Sequence, residues 1–263
     1  MSYTTIKLEL SQSIAQLTLN RPEVFNSLNE TMHEELKDAL MRIKSDTTIR
    51  VLVITGEGRA FCAGQDLNDR SVNNQDEKID LGASIEKKYN PLITSIYNLE
   101  IPVIAKINGV AAGAGVGIAL ACDFVIASER ASFIQAFCKI GLVPDSGISY
   151  FLPRLIGMAR AKALCMLGDK LEASVALEYG LITKVCPKET LDESVSQLAT
   201  QLSKAPTYGL SLIKKELNAS MENSLDAQLE LEKNLQRRAG YSNDYKEGVN
   251  AFLQKRAPEF KGN

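Results

Sequence analysis

Hydrophobic and polar residues alternate at the start of the chain in the way that half-buried strands require. Residues 6–10 and 14–19 place an apolar side chain at about every second position, and the polar residues between them form a turn. Residues 29–43 instead repeat apolar side chains every three or four positions, which predicts an amphipathic helix. The β-branched run at residues 51–55 shows no such alternation and ends at a glycine, so it predicts a strand that is buried on both faces.

Helices and strands continue to alternate through the middle of the chain. Helical spacing occurs at residues 89–99 and 115–122, and short apolar runs that predict strands occur at 103–107, 124–127 and 181–185. Strands that alternate with helices usually pair in parallel, because a helical crossover returns the chain to the same edge. We therefore predict the α/β fold class with a largely parallel sheet.

The pattern changes after position 190, where only helical spacing follows, with breaks near Pro206 and Gly240. We therefore predict two regions. An α/β core covers residues 1–190, and a helical region over 191–263 packs on the core or on a neighbouring subunit. The stretch 68–84 is polar and poor in apolar residues, which predicts a mobile loop.

The composition and the net charge argue against several classes of function. Apolar residues make up 45% of the chain and charged residues 24%, which is ordinary for a globular protein. The net charge of -2 argues against binding to nucleic acid, and the longest apolar stretch, residues 109–122, is too short and too rich in glycine to span a membrane. The chain starts without a basic and then apolar leader, and its five cysteines are scattered, so we expect a reduced, cytoplasmic protein. With one histidine and no cysteine cluster, we expect no metal site.

Two turns rich in glycine follow predicted buried strands and carry the candidate chemistry. The first covers residues 58–67, and the second covers 108–117 and leads into a predicted helix. Glycine lets a backbone approach a ligand closely, and the first N–H groups of a helix have no acceptor within it. Two such donors that converge on one oxygen form an oxyanion hole. The alternative is that both are tight turns on which helices pack closely.

Other glycine motifs do not fit this spacing. A dinucleotide-binding fingerprint would need a glycine where Ile118 stands, and a P-loop would end in Gly-Lys-Ser or Gly-Lys-Thr. The G-x-S-x-G elbow of serine hydrolases does not occur either. These three kinds of site are therefore excluded.

The strings FCAGQDL at residues 61–67 and NGVAAGAG at 108–115 resemble the crotonase (enoyl-CoA hydratase/isomerase) superfamily. The resemblance runs from LNRP at 19–22 through GLVPD at 141–145 to FLQKRAPEF at 252–260, so it covers nearly the whole chain. It implies a crotonase-like spiral of ββα units, with a C-terminal helical region through which chains form a homotrimer or a dimer of trimers. It also implies an acyl-CoA substrate, with coenzyme A as part of that substrate and no separate cofactor.

The resemblance assigns roles to particular residues. It implies that the N–H groups of Ala63 and Ala114 polarise the thioester carbonyl, beside the carboxylate of Asp145. It also implies that Lys255, from the same or a neighbouring subunit, reaches the phosphates of coenzyme A. The other positions expected to contact coenzyme A or the acyl group are Arg21, Val24, Gly64, Gln65, Asp66, Leu67 and Gly113, together with Ala63.

The acids of the family's hydratases are missing. Those enzymes use two glutamates, and this chain has Gly117 and Phe137 at the matching positions. Asp145 remains, and one base is enough for a 1,3-proton shift, in which a proton leaves one carbon and returns to another. We expect its carboxyl to be enclosed by apolar residues, Leu142 and Val143 among them. The alternative is that Asp145 only caps the helix that follows.

Other functions of the same residues stay open as alternatives. Aryl-CoA dehalogenases of the family use the matching aspartate as a nucleophile together with a histidine base. The one histidine here, His33, lies in the first predicted helix, which disfavours that reaction. A hydratase or thioester hydrolase that uses a water positioned by Asp145 is a second alternative, and a non-catalytic scaffold is a third.

Within the family, longer strings resemble the ring-epoxide isomerases of aerobic phenylacetate breakdown. These strings lie at residues 64–70, 89–92, 109–115, 142–145 and 238–249. The resemblance implies conversion of 1,2-epoxyphenylacetyl-CoA to an oxepin-CoA. It also implies movement of the double bond in a 3-enoyl-CoA to give a 2-enoyl-CoA.

Overall fold

The computed structural model describes residues 3–67 and 80–263, and its strands form two sheets. In chain order the strands are β1 (Ile6–Ser11), β2 (Ile14–Leu19), β3 (Val51–Gly56), β4 (Ala60–Cys62), β5 (Val103–Ile107), β6 (Val110–Ala112), β7 (Phe124–Ser128), β8 (Ser132–Ile134), β9 (Lys170–Glu172) and β10 (Lys184–Cys186). The helices are α1 (Glu30–Ser45), α2 (Leu81–Ser84), α3 (Asn90–Tyr97), α4 (Ala114–Leu120), α5 (Ile148–Ile156), α6 (Met158–Leu167), α7 (Ala173–Glu178), α8 (Leu191–Ser203), α9 (Thr207–Ser220), α10 (Leu225–Gly240) and α11 (Asn243–Leu253).

The larger sheet is mainly parallel. Its order is β1-β2-β3-β5-β7-β10, and within the described ranges only the pair β1 and β2 is antiparallel. The smaller sheet has the order β4-β6-β8-β9, with parallel pairs except between β8 and β9. A strand of the larger sheet is followed, after a short turn, by a strand of the smaller one at β3–β4, β5–β6 and β7–β8. This repeat is a spiral of ββα units, and it confirms the predicted α/β fold class.

The elements predicted from the clearest patterns are confirmed within a few residues at their ends. Every residue of β3 is buried, as its unbroken apolar run predicts. Helix α1 begins after Asn29, whose side-chain oxygen accepts a hydrogen bond from the Met32 N–H group at 2.9 Å. That bond satisfies one of the N–H groups that has no partner within the helix. The apolar stripe of α1, which includes Leu36 and Ile43, is buried in the core.

Two of the expected segments need correction. The strand predicted at residues 181–185 forms only at Lys184–Cys186, because Leu181 still belongs to the turn after α7 and donates its N–H group to the Ala176 carbonyl at 2.9 Å. Of the loop predicted at 68–84, positions 68–79 lie outside the described residues. The part that follows is not a loop but the short helix α2, whose N-cap is Asp80.

The first helix after position 190 packs on the larger sheet. Apolar residues of α8 lie against β3, β5 and β7, and this cluster includes Val51, Val53, Ile104, Ile126, Leu191, Val195, Ala199 and Leu202. Arg50, just before β3, also holds the segments that follow α8, because it donates to the Thr207 hydroxyl at 2.8 Å and to the Phe260 carbonyl at 2.9 Å. Helix α10 packs on α9 and α11. The division at residue 190 stays a prediction.

The long helices are amphipathic rather than uniformly apolar. Helices α1 and α10 have 16 residues each, and both carry charged side chains in every part of their length. In the part of the chain that the structure describes, no helix has both the length and the apolar character needed to cross a membrane.

Gly115 of α4 has no space for a side chain. A Cβ atom placed there would lie 2.2 Å from the Cys62 carbonyl oxygen, so β4 and α4 would have to separate. We predict that Gly115→Ala lowers the free energy of unfolding by about 3 kcal/mol, as overpacking a tight contact does, and that thermal unfolding followed by circular dichroism shows it. Gly240→Ala is the control, because a Cβ atom there meets nothing within 4 Å. Equal losses in the two variants would contradict this explanation.

Candidate active site

Helix α4 begins inside the protein, just after the second glycine turn. All of its residues are buried, and Gly113 before it has a φ of +51°, which favours glycine. The N–H group of Gly113 donates to the Ile134 carbonyl of β8 at 3.0 Å. The N–H group of Ala114 is the first of the helix, and within residues 3–67 and 80–263 it has no hydrogen-bond acceptor. Ala114 therefore offers a donor at the positive end of the helix dipole.

The first glycine turn does not present the amide of Ala63. This N–H group donates to the Phe25 carbonyl at 3.0 Å. A donor that is already bonded within the protein is not available to a substrate oxygen. The assignment of Ala63 to an oxyanion hole is therefore wrong, and a donor from this turn has to come from a neighbouring amide.

The N–H group of Gln65 points away from Leu28, which lies beside the first glycine turn. Leu28 makes two hydrogen bonds to one side of the turn. Its N–H group donates to the Gly64 carbonyl at 2.7 Å, and its carbonyl accepts from the Asp66 N–H group at 3.0 Å. The C=O and N–H groups of one trans peptide point in opposite directions, so the Gln65 N–H group points away from Leu28. Gly64 also packs against α4, since a Cβ atom placed on it would lie 3.3 Å from the Ala114 nitrogen. The amides of Gln65 and Ala114 therefore lie at neighbouring points of one site.

Asp145 lies beside the first turn of α4. Its neighbour Ser146 packs on that helix, because a Cβ atom placed on Gly117 would lie 2.3 Å from the Ser146 carbonyl oxygen. Gly117 comes three residues after Ala114, which is about one helical turn along the same side. The Asp145 carboxyl is half-buried, and its Oδ1 atom accepts a hydrogen bond from the Ser146 hydroxyl at 2.8 Å. The packing of Ser146 on Gly117 therefore brings the segment that carries Asp145 next to helix α4.

Asp145 does not cap helix α5. The N-cap position of α5 is Gly147, two residues after Asp145. Asp145 contributes its main-chain carbonyl instead, which accepts from the Ile148 N–H group at 3.0 Å. Asp145 is therefore not the N-cap residue of this helix, and its catalytic role stays a prediction.

At the two positions where the family's hydratases carry glutamates, this chain has Gly117 and Phe137, and different groups fill the space at each. The backbone of Ser146 fills the space beside Gly117, as described above. Phe137, in the 3-10 turn Ala136–Ile140, lays its ring against Gly113, where an added Cβ atom would lie 3.6 Å from the ring. The site therefore has a buried aromatic ring at one of these positions and main chain at the other.

The apolar enclosure expected around Asp145 is only partial. Phe137 is buried and Leu142 is half-buried against the core. Val143 is 80% exposed, so its expected contribution to the enclosure is wrong. The Asp145 residue itself is half-buried.

A buried thiol lies behind the first glycine turn. Burial raises the pKa of Cys62 to about 12, although a hydrogen bond from the Gly64 N–H group acts in the opposite direction. A thiol with such a pKa is protonated at neutral pH and is a poor nucleophile. The Cys62 thiol, at the end of β4, therefore packs in the hydrophobic core and is not a candidate nucleophile.

The charged residues expected along the coenzyme A path pair with each other. The Arg21 guanidinium donates to the Asp66 carboxylate at 2.9 Å and to the Ser27 carbonyl at 2.7 Å. The two side chains are only 17% and 8% exposed. Arg21 and Asp66 therefore hold residues 21–28 against the first glycine turn.

The other coenzyme A candidates are more exposed. Val24 is half-buried at the end of the 3-10 turn Pro22–Val24, and Leu67, at the end of the first glycine turn, is 58% exposed. Lys255 is exposed in the turn after α11. Over the described ranges, no hydrogen bond or ion pair joins the Lys255 side chain to either glycine turn. The roles of Val24, Leu67 and Lys255 in binding coenzyme A stay predictions.

Known proteins resemble this chain over nearly its whole length. The sequence profile of the enoyl-CoA hydratase/isomerase family matches residues 9–263. The 1,2-epoxyphenylacetyl-CoA isomerase of Escherichia coli strain K12 is 51% identical over 253 residues, which is 96% of this chain and 97% of that protein. A Rhodobacter capsulatus protein named as a probable enoyl-CoA hydratase is 44% identical over 262 residues, which is 100% of both. The crystal structure of an enoyl-CoA hydratase from Bacillus anthracis has a TM-score of 0.93 at 33% identity, and the match covers 99% of this chain and 100% of that one. This chain belongs to the enoyl-CoA hydratase/isomerase family, which is the crotonase superfamily.

Proposed function

We propose that this protein is an isomerase that moves a proton on the acyl group of a coenzyme A thioester, with Asp145 as the acid-base group. The proposal is supported by the packing of Ser146, which adjoins Asp145, against Gly117 of α4. Neither Gly117 nor Phe137 supplies a carboxylate. A hydratase has to activate water and also protonate the neighbouring carbon. An isomerase needs one group that accepts a proton and returns it.

The two amides would hold the thioester oxygen during this transfer. Negative charge develops on that oxygen when the proton beside the thioester leaves. The N–H groups of Gln65 and Ala114 are fixed by the main chain, so they need no reorganisation when the charge forms. Removal of one such donor typically costs about 3 to 4 kcal/mol of transition-state stabilisation.

The proton shift conserves every atom of the substrate. In a 3-enoyl-CoA, the Asp145 carboxylate takes the proton from the carbon next to the thioester, the double bond moves into conjugation, and the same carboxyl protonates the far carbon. In 1,2-epoxyphenylacetyl-CoA, the corresponding proton leaves the carbon next to the thioester. The carbon–carbon bond that the epoxide oxygen bridges then opens to give the seven-membered oxepin ring, and the proton returns to a ring carbon. Neither reaction requires water or a separate cofactor, because coenzyme A is part of the substrate.

An aromatic acyl group suits this site. The Phe137 ring lies against Gly113, directly before the Ala114 donor, and aromatic rings pack favourably on one another. The Escherichia coli relative carries 1,2-epoxyphenylacetyl-CoA in its name. We therefore propose 1,2-epoxyphenylacetyl-CoA as the substrate and oxepin-CoA as the product, with 3-enoyl-CoA thioesters as simpler substrates.

The Rhodobacter capsulatus relative favours a second candidate function, because its name describes a hydratase. In that case Asp145 would position a water for addition to the double bond or for attack on the thioester. The absence of a carboxylate at positions 117 and 137 makes this the weaker proposal.

The assembly and the compartment are also proposals. Several large apolar side chains of α10 and α11 are more than half exposed, namely Leu225, Leu229, Phe252 and Leu253. Apolar groups at this density on a surface indicate a contact with another chain, and we propose a homotrimer or a dimer of trimers. The cysteines are all free thiols, which supports the cytoplasm as the compartment.

Loss of the Asp145 carboxylate should abolish most of the activity. We predict that Asp145→Asn lowers kcat for a 3-enoyl-CoA by about 10²- to 10⁴-fold, the usual contribution of a positioned acid-base group. The absorbance of the conjugated product measures the rate. Asp169→Asn, at a carboxylate that is 70% exposed, should retain the wild-type rate. Full activity in Asp145→Asn would favour a different base, and no turnover in any variant would favour the scaffold.

The wild-type protein should distinguish isomerisation from hydration. We predict that it converts a 3-enoyl-CoA at least about 100-fold faster than it hydrates crotonyl-CoA, because the second acid of a hydratase is missing. Mass spectrometry separates the two outcomes, since hydration adds the mass of one water and isomerisation adds nothing. Comparable rates for the two substrates would make hydration the main activity.

A further inference from the structure

Tyr89 is bonded to the side chain of Gln65 from behind the first glycine turn. The Tyr89 hydroxyl donates to the Gln65 Oε1 atom, and the Gln65 Nε2 atom donates to the Asp66 carbonyl at 2.9 Å. Both ends of this amide side chain are therefore held. Because the side chain and the main-chain amide of Gln65 share one Cα atom, a held side chain also restricts rotation of the peptide that carries the N–H group.

Tyr89 itself is held by rigid parts of the fold. Its side chain is 1% exposed, and its ring meets the His33 ring of α1 edge-on, with centroids 4.6 Å apart. It ends the π-helical turn Ile85–Tyr89, which leads directly into α3. Turns of this kind are rare and often occur at functional sites. The hydroxyl of Tyr89 therefore comes from a fixed position between two helices.

The main chain fixes the Gln65 peptide from one side only. The two hydrogen bonds of Leu28 hold the Gly64 carbonyl and the Asp66 N–H group, and both lie on the edge that faces away from the proposed substrate oxygen. The bond from Tyr89 adds a second attachment through the side chain. A donor attached at two points keeps its direction better than one attached at a single edge.

We infer that Tyr89 is a positioning residue, which holds the Gln65 N–H group on the thioester oxygen through the Gln65 side chain. The inference rests on the proposed function in one respect, namely that the Gln65 amide is a donor to the substrate. Tyr89 touches no reacting atom. Its effect is on the direction of the donor, and hence on the stabilisation of the charged intermediate.

Removal of one hydroxyl tests this role. Tyr89→Phe keeps the ring and its packing, and we predict that it lowers kcat by about 10- to 100-fold with KM changed by less than about twofold. Tyr3→Phe is the matched control, because it removes a hydroxyl that donates to Asp38 of α1 at 2.6 Å. The control should keep the wild-type kcat. Thermal unfolding of both variants shows whether the fold is retained.

A second readout reports the donor directly. Phenylacetyl-CoA lacks the epoxide and does not react, and hydrogen bonds to its thioester carbonyl lower the infrared stretching frequency. We predict that Tyr89→Phe returns this band part of the way to its value in solution, whereas Tyr3→Phe leaves it at the wild-type value. Gln65→Met, which removes the acceptor, should give the same loss as Tyr89→Phe, and the double variant should lose no more than either single one.

The outcomes separate this inference from the proposed reaction. An unchanged carbonyl band and kcat in Tyr89→Phe, or additive losses in the double variant, would overturn the positioning role. A wild-type protein that shifts the band but isomerises no substrate would overturn the proposed reaction, while the comparison of bands still decides the role of Tyr89. An unshifted band in the wild-type protein would overturn both.

Discussion

The candidate site depends on a contact between two pieces of main chain. The first glycine turn lies so close to α4 that Gly115 meets the Cys62 carbonyl and Gly64 meets the Ala112 carbonyl, with no space for a Cβ atom at either position. Packing at this distance sets the separation of the two amides. The direction of the Gln65 N–H group depends in addition on the hydrogen bonds that hold Gln65. Any side chain added at this contact would move one donor relative to the other.

A strained segment supports that contact from the other side. Phe25 and Asn26 both have left-handed backbone angles, with φ values of 54° and 57°, which residues other than glycine seldom adopt. The Asn26 side chain compensates, because it accepts from the Arg21 N–H group and donates to the Ala60 carbonyl, both at 2.9 Å. This bend lets the Phe25 carbonyl bond Ala63 and brings Leu28 alongside Gly64. Backbone strain of this kind persists where the surrounding structure over-determines it, and here it orients the Gln65 peptide.

Much of the fold could be predicted from the sequence, and the predictions that failed did so for physical reasons. Helix α1 and strand β3 followed from their patterns of apolar residues. The glycine turn that enters a helix predicted a backbone donor there, and the family resemblance implied that this donor is Ala114. The choice between Ala63 and Gln65 could not be made, because it depends on hydrogen bonds from residues almost forty positions earlier. The strands of the smaller sheet have three residues each, which is too short to show an alternating pattern. Exposure of Val143 and the bond from Tyr89 to Gln65 likewise depend on tertiary packing.

The turn at Ser146 has a consequence for the divergence of this family. Its main chain occupies the volume into which a side chain at Gly117 would extend. A chain with this turn cannot regain an acid there by one substitution, because the turn has to withdraw before the acid fits. A side chain at position 117 and this course of the chain at Ser146 exclude each other, so a change toward a site with two carboxylates requires changes at both places.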